Sequence, residues 1–237
     1  MPAPAWLTAT PIAHRGFHDL NKSVWENTIP AFEQAIEAGF AIECDVRLSK
    51  DGVPFVFHDD DLKRLCGRDG EIETLSAEEI DAIAVGDSGA VIPRFSDFLK
   101  TCKGIVPLVV ELKRGAEQDS RFVPTVAAAV RGYEGPLALM SFDAEIMRDL
   151  TREKLPFPLG LTALGDREED FTRHRDALAA GLDFISYYYE HLDNDFIAGL
   201  RKDGIAIITW TVRDPDARAI SDRHGDQMTF EGFDPRQ

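Results

Sequence analysis

Residues 42–48 read Ile-Glu-Cys-Asp-Val-Arg-Leu and alternate strictly between apolar and charged side chains. A β-strand repeats every two residues, so Glu43, Asp45 and Arg47 share one face and the apolar residues share the other. Strands of a closed parallel barrel are normally apolar on both faces, because helices cover the outside and side chains fill the inside. If this segment is such a strand, its charged face marks the place where a barrel opens to a functional site.

The rest of the chain has the pattern that such a barrel requires. Short apolar runs alternate with helical segments, and eight of the runs are strand-like. Residues 28–38 are apolar at three- and four-residue spacing, which predicts a helix with Asn27 or Thr28 as its N-cap. We therefore predict a (β/α)₈ TIM barrel as one domain over residues 1–237. The predicted strands are 11–14, 40–48, 106–113, 137–141, 157–162, 184–188, 205–212 and 227–231.

One segment interrupts this alternation. Between residues 49 and 95 the chain contains an Asp51-Gly52 turn, a short strand over 53–58 and a predicted helix near 77–83. This is too long for an ordinary βα loop. We predict a small insertion after the second strand rather than a second domain.

Charged residues recur in the third predicted strand, where Glu111 and Lys113 alternate with apolar residues. If Glu111 joins Glu43 and Asp45 at the barrel mouth, three desolvated carboxylates would repel one another unless a cation lay among them. Carboxylate oxygens suit Mg²⁺ or Ca²⁺ better than a softer metal. An exposed edge with salt-bridged charges is the simpler interpretation for either strand alone, but two such strands favour a divalent-metal site.

Two histidines and an arginine lie at strand ends, where barrel active sites form. His14 and Arg15 follow the first predicted strand, and His58 ends the short strand of the insertion. A lone histidine in such a position is more often structural, whereas two on the rim that carries the carboxylates indicate a functional pair. Of the other histidines, His18 lies near the predicted site but is not expected to contact substrate. The remaining three are predicted to be at the surface: His174, His191 and His224.

Charge and cysteine content exclude several classes of protein. The chain has 42 Asp and Glu against 26 Lys and Arg, a formal net charge of −16, and no basic run that would bind nucleic acid or an anionic membrane. Its three cysteines have no C-x-x-C spacing, which argues against a disulfide framework or a zinc site. We expect a cytoplasmic protein with a small-molecule substrate and no stable membrane anchor.

Taken in order, the motifs resemble those of the glycerophosphodiester phosphodiesterase family. They extend from the first predicted strand to the seventh, so the ordered set is far more specific than any one piece. The motifs are His14-Arg15-Gly16, Glu26-Asn27-Thr28 with Ala31-Phe32, Glu43-x-Asp45-Val46, Asp51-Gly52, His58-Asp59, Glu111-x-Lys113, Ser141-Phe142 and Trp210-Thr211-Val212.

The resemblance implies a TIM barrel with a small insertion after its second strand. It also implies hydrolysis of glycerophosphodiesters, such as glycerophosphocholine and glycerophosphoethanolamine, to glycerol 3-phosphate and an alcohol. By position in the family's motifs, Glu43, Asp45 and Glu111 would hold a divalent cation, Mg²⁺ or Ca²⁺.

The remaining site residues follow from the same resemblance. His14 and His58 would be the general acid and base, in an order that the sequence leaves open. Arg15 and Lys113 would bind the phosphate and offset its developing charge, as phosphoryl chemistry requires. Trp210 would line the glycerol side of the pocket.

The last predicted strand departs from the family, because it ends in Phe230-Glu231-Gly232 instead of a Thr-Asp-x-Pro-like stretch. Glu231 either replaces the usual aspartate or faces solvent. Two other functions remain open at this point. One is a phospholipase D-like enzyme acting on lysophospholipids, and the other is a non-catalytic barrel that binds phosphate compounds.

Overall fold

Eight parallel strands close into a barrel in the computed structural model, which describes residues 3–115 and 119–237. The first strand pairs with both the second and the last, which completes the ring and confirms the predicted TIM barrel. The observed strand ends differ from the predicted ones by two residues or fewer. The barrel strands are β1 Ile12–Ala13, β2 Ala41–Leu48, β4 Leu108–Leu112, β5 Leu137–Ser141, β6 Leu159–Ala163, β7 Phe184–Tyr188, β8 Ala206–Val212 and β9 Gln227–Phe230, and β3 Pro54–Val56 lies in the insertion.

Helices cover the outside of this ring. The first, α1, has Thr28 at its N-cap position without a side-chain capping hydrogen bond, has Pro30 in its first turn and ends at Gly39 in the left-handed conformation. None of the helices in the described part of the chain is long and apolar enough to cross a membrane. The helices are α1 Ile29–Ala38, α2 Lys63–Cys66, α3 Ala77–Asp81, α4 Phe95–Cys102, α5 Phe122–Val130, α6 Ala144–Glu153, α7 Glu168–Leu178, α8 Asp195–Lys202 and α9 Pro215–His224.

The barrel interior is divided into an apolar lower layer and a polar upper layer. Below, side chains such as Ile12, Val109, Phe184 and Ile208 pack together and are closed off by Leu7. Above them, the inward positions of the same strands carry acidic, hydroxyl and aromatic side chains. The carboxyl ends of the strands therefore form the floor and walls of a polar pocket, as in other barrels of this type.

Outward-facing strand residues pack against the helices in one large apolar core. Cys44 and Val46, which alternate with the carboxylates of β2, belong to this core, as the period of two predicts. His174 also lies on this side, and the prediction that it is at the surface was wrong. It follows Phe171 by one helical turn on the buried face of α7, and its Nδ1 lies 3.3 Å from the hydroxyl of Tyr187.

The segment between β2 and α4 folds around its own small apolar cluster, which includes Phe55, Phe57 and Ile80. Its strand β3 pairs antiparallel with the end of β2 and so extends the sheet past the barrel rim. Arg47, from the charged face of β2, points into this segment. Its Nε donates to the carbonyl of His58 at 3.0 Å and its Nη1 to Glu73 at 3.0 Å. Arg47 thus fixes the backbone that carries His58 to the mouth of the barrel.

Candidate active site

Three buried carboxylates meet at the top of two adjacent strands. Glu43 and Asp45 lie on β2, Glu111 lies on β4, and Asp45 is the register partner of Glu111. One oxygen from each carboxylate can be chosen so that all three lie within 4.8 Å of one another. Burial and mutual repulsion raise the pKa of Glu43 well above its ordinary value. The structure therefore brings together the three predicted metal ligands in an arrangement that a divalent cation would stabilise.

Two cations flank these carboxylates. Nζ of Lys113 lies 3.3 Å from Asp45 and also pairs with Glu111, and Nε of Arg15 lies 3.5 Å from Asp45. Burial alone would lower the pKa of Lys113, but the charges of Asp45 and Glu111 outweigh it and raise that pKa above its ordinary value. Both side chains are therefore permanently charged at neutral pH and face the pocket.

The loop after β1 is shaped to hold Arg15. Arg15 and Asn27 both adopt positive φ, at 56° and 53°, which L-residues rarely do. Gly16 makes the turn possible, because a Cβ there would lie 2.8 Å from the Cβ of Ala31. In this loop conformation the backbone amide of Arg15 donates to Glu43 at 2.9 Å. The side-chain amide of Asn27 donates to Asp45 at 2.9 Å.

His14 lies beside this cluster and pairs with the last strand. Its Nδ1 donates to Oε2 of Glu231 at 3.0 Å, and its Nε2 lies 4.0 Å from Glu43 on the pocket side. Burial lowers the pKa of His14 to about 4, despite the opposing hydrogen bond to Glu231, so the ring is neutral at pH 7. Glu231 also accepts from Arg213 at 2.7 Å. Glu231 therefore contacts His14 and does not simply face solvent, which was one of the two alternatives for it.

His58 approaches the pocket from the insertion and is held by a chain of ion pairs. Its Nδ1 donates to Asp59 at 2.7 Å. Arg64, from α2, binds Asp59 with two nitrogens and Glu26 with two, at 2.7–2.8 Å. Glu26 in turn pairs with Arg15. The insertion and the first loop are thus joined directly through the residues that orient His58 and Arg15.

The pocket enclosed by these groups has a volume of about 240 Å³. Its far side is aromatic: the ring of Trp210 lies 5.3 Å from those of Phe142 and Tyr188, and its Nε1 donates to the carbonyl of Ser186 at 3.0 Å. On the other side of His58 and Lys113 lies a more open cleft of about 500 Å³, lined by charged residues of the insertion.

Every residue that the sequence analysis assigned to the site lies in this region. Seven of them line the pocket, and Asp45 lies directly behind Lys113 within the carboxylate cluster. Several further residues that the structure places here had no predicted role in the site. Polar residues at inward positions of apolar strands were a signal for some of them. These residues are Glu26, Asn27, Asp59, Arg64, Thr162, Ser186, Arg213 and Thr229. His18 is buried beside Glu231 but does not line the pocket.

Comparison with known proteins agrees with the family resemblance of the sequence motifs. The model of the glycerophosphoryl diester phosphodiesterase family matches residues 14–232. A glycerophosphodiester phosphodiesterase of Caldanaerobacter subterraneus subsp. tengcongensis is 28% identical over 211 residues, covering 85% of this chain and 84% of the relative.

Solved structures have the same fold. The glycerophosphodiester phosphodiesterase of Thermotoga maritima superimposes with a TM-score of 0.76 at 25% identity, covering 93% of this chain and 94% of the other. A phosphodiesterase of Oleispira antarctica, determined in complex with its product sn-glycerol-3-phosphate, has a TM-score of 0.82 at 20% identity, with 95% and 94% covered. With the family model matching nearly the whole barrel, the chain belongs to the glycerophosphoryl diester phosphodiesterase family.

Proposed function

We propose that this enzyme hydrolyses glycerophosphocholine, glycerophosphoethanolamine and similar diesters to glycerol 3-phosphate and an alcohol, with Mg²⁺ or Ca²⁺ and with His14 and His58 as proton-transfer groups. One observation carries the proposal: two histidines and two cations face the same small pocket as the carboxylate cluster. The product complex of the Oleispira antarctica phosphodiesterase supports glycerol 3-phosphate as the product. We place the reaction in the cytoplasm, where the three free cysteines would stay reduced.

Glu43, Asp45 and Glu111 fit a hard divalent cation, because they supply only oxygen ligands. The net charge of the ion pairs around these carboxylates also favours a bound cation. Within the described part of the chain, the ion pairs around His14 and Lys113 connect six carboxylates to four permanent cations, which leaves two negative charges when every carboxylate is ionised. The carboxylates are Glu26, Glu43, Asp45, Asp59, Glu111 and Glu231, and the cations are Arg15, Arg64, Lys113 and Arg213. A bound divalent cation would supply Lewis-acid stabilisation of the phosphoryl oxygens.

Arg15 and Lys113 bind the anionic phosphodiester in this proposal. Each is held by carboxylates on one side and open to the pocket on the other, so its position is fixed before substrate arrives. Charge that develops on the non-bridging oxygens in the transition state therefore meets cations that need no further reorganisation.

His14 is best suited to be the general base. Because Glu231 accepts the proton on Nδ1, the unprotonated Nε2 faces the pocket and can remove a proton from the attacking hydroxyl. The attacking group is either water or a neighbouring hydroxyl of the glycerol, which would give a cyclic phosphate as an intermediate.

His58 would then be the general acid. It lies between the enclosed pocket and the open cleft, where a departing head group would leave. With Nδ1 held by Asp59, its Nε2 can donate a proton to the leaving alkoxide.

The reaction can be tested by following glycerophosphocholine with ³¹P NMR. Glycerol 3-phosphate with free choline is the expected product pair, and a transient cyclic glycerophosphate would identify attack by the glycerol hydroxyl. Release of phosphocholine and glycerol instead would mean that the enzyme breaks the other ester bond, and the proposal would be wrong.

A further inference from the structure

His18 is a buried histidine that the proposed reaction does not use. It lies in the loop between β1 and α1 and is only 4% exposed. Its Nε2 has no hydrogen-bond partner among the described residues, although a buried polar atom without a partner is destabilising. This nitrogen lies 3.8 Å from Oε1 of Glu231, the residue that holds His14. The unused nitrogen of His18 therefore faces the partner of the general base.

The position of the His18 proton follows from the other ring nitrogen. The backbone amide of Leu20 donates to Nδ1 at 3.2 Å, and an amide N–H can only donate. Nδ1 is therefore unprotonated, and the proton of the neutral ring is on Nε2. Burial lowers the pKa of His18, although the charge of Glu231 opposes this, so the ring is neutral at pH 7. His18 thus presents an uncharged N–H donor to a carboxylate.

The loop that carries His18 packs against the end of β9. The ring of Phe17 lies 6.0 Å from that of Phe230, and a Cβ on Gly232 would lie 3.2 Å from the side chain of Leu20. Leu20 reaches this position with a φ of 62°, which L-residues rarely adopt. Residues before and after His18 therefore contact residues before and after Glu231, which fixes the distance between these two side chains.

Glu231 uses its two oxygens differently. Oε2 accepts from Nδ1 of His14 at 3.0 Å and from Arg213 at 2.7 Å, whereas Oε1 faces His18. The terminal torsion of a glutamate is broad, so bonds to one oxygen leave the plane of the carboxylate free to turn. The side chain of Arg213 is 55% exposed, and solvent weakens its hold. A buried donor on Oε1 is what would fix the plane.

We infer that His18 is a positioning residue: its Nε2 proton holds Oε1 of Glu231, so that Oε2 stays directed at Nδ1 of His14. This inference rests on the proposed function, in which His14 is the general base. His18 touches neither substrate nor metal ligands in this arrangement and acts on the reaction only through Glu231.

Two variants separate this role from a merely structural one. In His18→Asn the side-chain oxygen can still accept from the Leu20 amide, but the side chain is too short to reach Glu231. His18→Gln restores a donor at the reach of Nε2. We expect His18→Asn to lower kcat about tenfold with KM nearly unchanged, and His18→Gln to recover most of the loss. His224→Asn is the matched control, because Nε2 of His224 lies 3.9 Å from the carboxylate of Asp193 at the end of α9, outside the pocket.

Long-range ¹H–¹⁵N spectra of His14 give a readout that needs no turnover. The wild type should show His14 protonated on Nδ1, and His18→Asn should show a larger share protonated on Nε2. His18→Gln and His224→Asn should match the wild type. Because His18 acts through Glu231, His18→Asn should lower kcat little further in the Glu231→Gln background.

Three results would each overturn the inference: an unchanged His14 tautomer or an unchanged kcat in His18→Asn, equal losses in His18→Asn and His18→Gln, or additive losses of His18→Asn and Glu231→Gln. If the wild type hydrolyses glycerophosphocholine while one of these results is obtained, the inference alone fails. If the wild type hydrolyses no diester, the proposed function fails, and the spectra of His14 decide whether His18 positions it.

Discussion

Glu231 accepts a hydrogen bond from Nδ1 of His14 at 3.0 Å, although the two residues are 217 positions apart in the chain. Closure of the barrel between β1 and β9 creates this contact. Burial would raise the pKa of Glu231, but the hydrogen bond and charge of His14 lower it to about 2. Glu231 is therefore ionised and can only accept, which fixes the proton of His14 on Nδ1 and leaves Nε2 free for chemistry.

Replacing Glu231 by glutamine should disturb this tautomer. The amide can donate to Nδ1, so part of the population would carry the His14 proton on Nε2 and could not act as a base. We expect kcat to fall about 10²- to 10⁴-fold with little change in KM. Long-range ¹H–¹⁵N spectra of His14 should show the shift of tautomer directly.

Two variants complete this comparison. Glu231→Asp keeps the acceptor and should recover part of the lost kcat, and Glu190→Gln alters an exposed glutamate that contacts Tyr189 and should behave as the wild type. An unchanged tautomer with unchanged kcat in Glu231→Gln would show that Glu231 has no part in positioning His14.

The assignment of acid and base predicts a dependence on the leaving group. An alkoxide needs a proton as it departs, whereas p-nitrophenolate does not, because its conjugate acid is much stronger. His58→Ala should therefore lose far more activity towards glycerophosphocholine than towards glycerol 3-(p-nitrophenyl) phosphate. His14→Ala should lose activity towards both, and the opposite pattern would exchange the two roles.

Metal binding should stabilise the protein through the carboxylate cluster. At a concentration about 100-fold above Kd, binding contributes about 2.7 kcal/mol, or roughly 5–10 °C in Tm for a chain of this size. Mg²⁺ or Ca²⁺ should raise the Tm of the wild type by this amount and leave Glu43→Gln and Glu111→Gln almost unchanged. Asp97→Asn, at an exposed position on α4, serves as the control. An equal shift in all variants would place the metal elsewhere.

Lowering the pH should weaken the ion pair between Glu26, in the loop after β1, and Arg64, in the insertion. Burial raises the pKa of Glu26, but hydrogen bonds from Arg64 and the charge of Arg15 outweigh it and lower the pKa to about 2 from an ordinary 4.5. Because the folded-state pKa is the lower one, this stabilisation is fully present above about pH 4.5 and is lost as pH falls towards 2.

The lowered pKa of Glu26 contributes at most about 3 kcal/mol to the free energy of unfolding. Urea unfolding of Glu26→Gln should show lower stability at pH 7 and a shallower decline between pH 5 and 3 than the wild type. Parallel declines would mean that Glu26 does not contribute in this way.

The sequence predicted most of the barrel and the acidic half of the site, because both leave local signals. The period of two in β2 separated Glu43 and Asp45 from Cys44 and Val46, and the structure places them on opposite faces. Glu231, in contrast, could not be placed, since its partner His14 lies at the other end of the chain.

Other residues escaped prediction for different physical reasons. Serine and threonine occur in many strands, so the inward positions of Thr162 and Ser186 were too weak a signal on their own until their lack of partners was known. Arg64 lies on a four-residue helix of the insertion, which is too short to show a helical repeat in the sequence, and it acts through side-chain contacts that the sequence does not reveal. His174 looked like a surface residue because its helix is mainly polar, yet it lies on that helix's narrow buried face.

Our proposed reaction is metal-dependent hydrolysis of a glycerophosphodiester with His14 as the general base. Its most direct test is the release of glycerol 3-phosphate from glycerophosphocholine and glycerophosphoethanolamine, with Mg²⁺, with Ca²⁺ and with EDTA, beside His14→Ala. We predict turnover that EDTA abolishes, that added metal restores, and that His14→Ala reduces by at least about 10²-fold. Turnover that survives both EDTA and His14→Ala, or no turnover of either diester with either metal, would contradict the account.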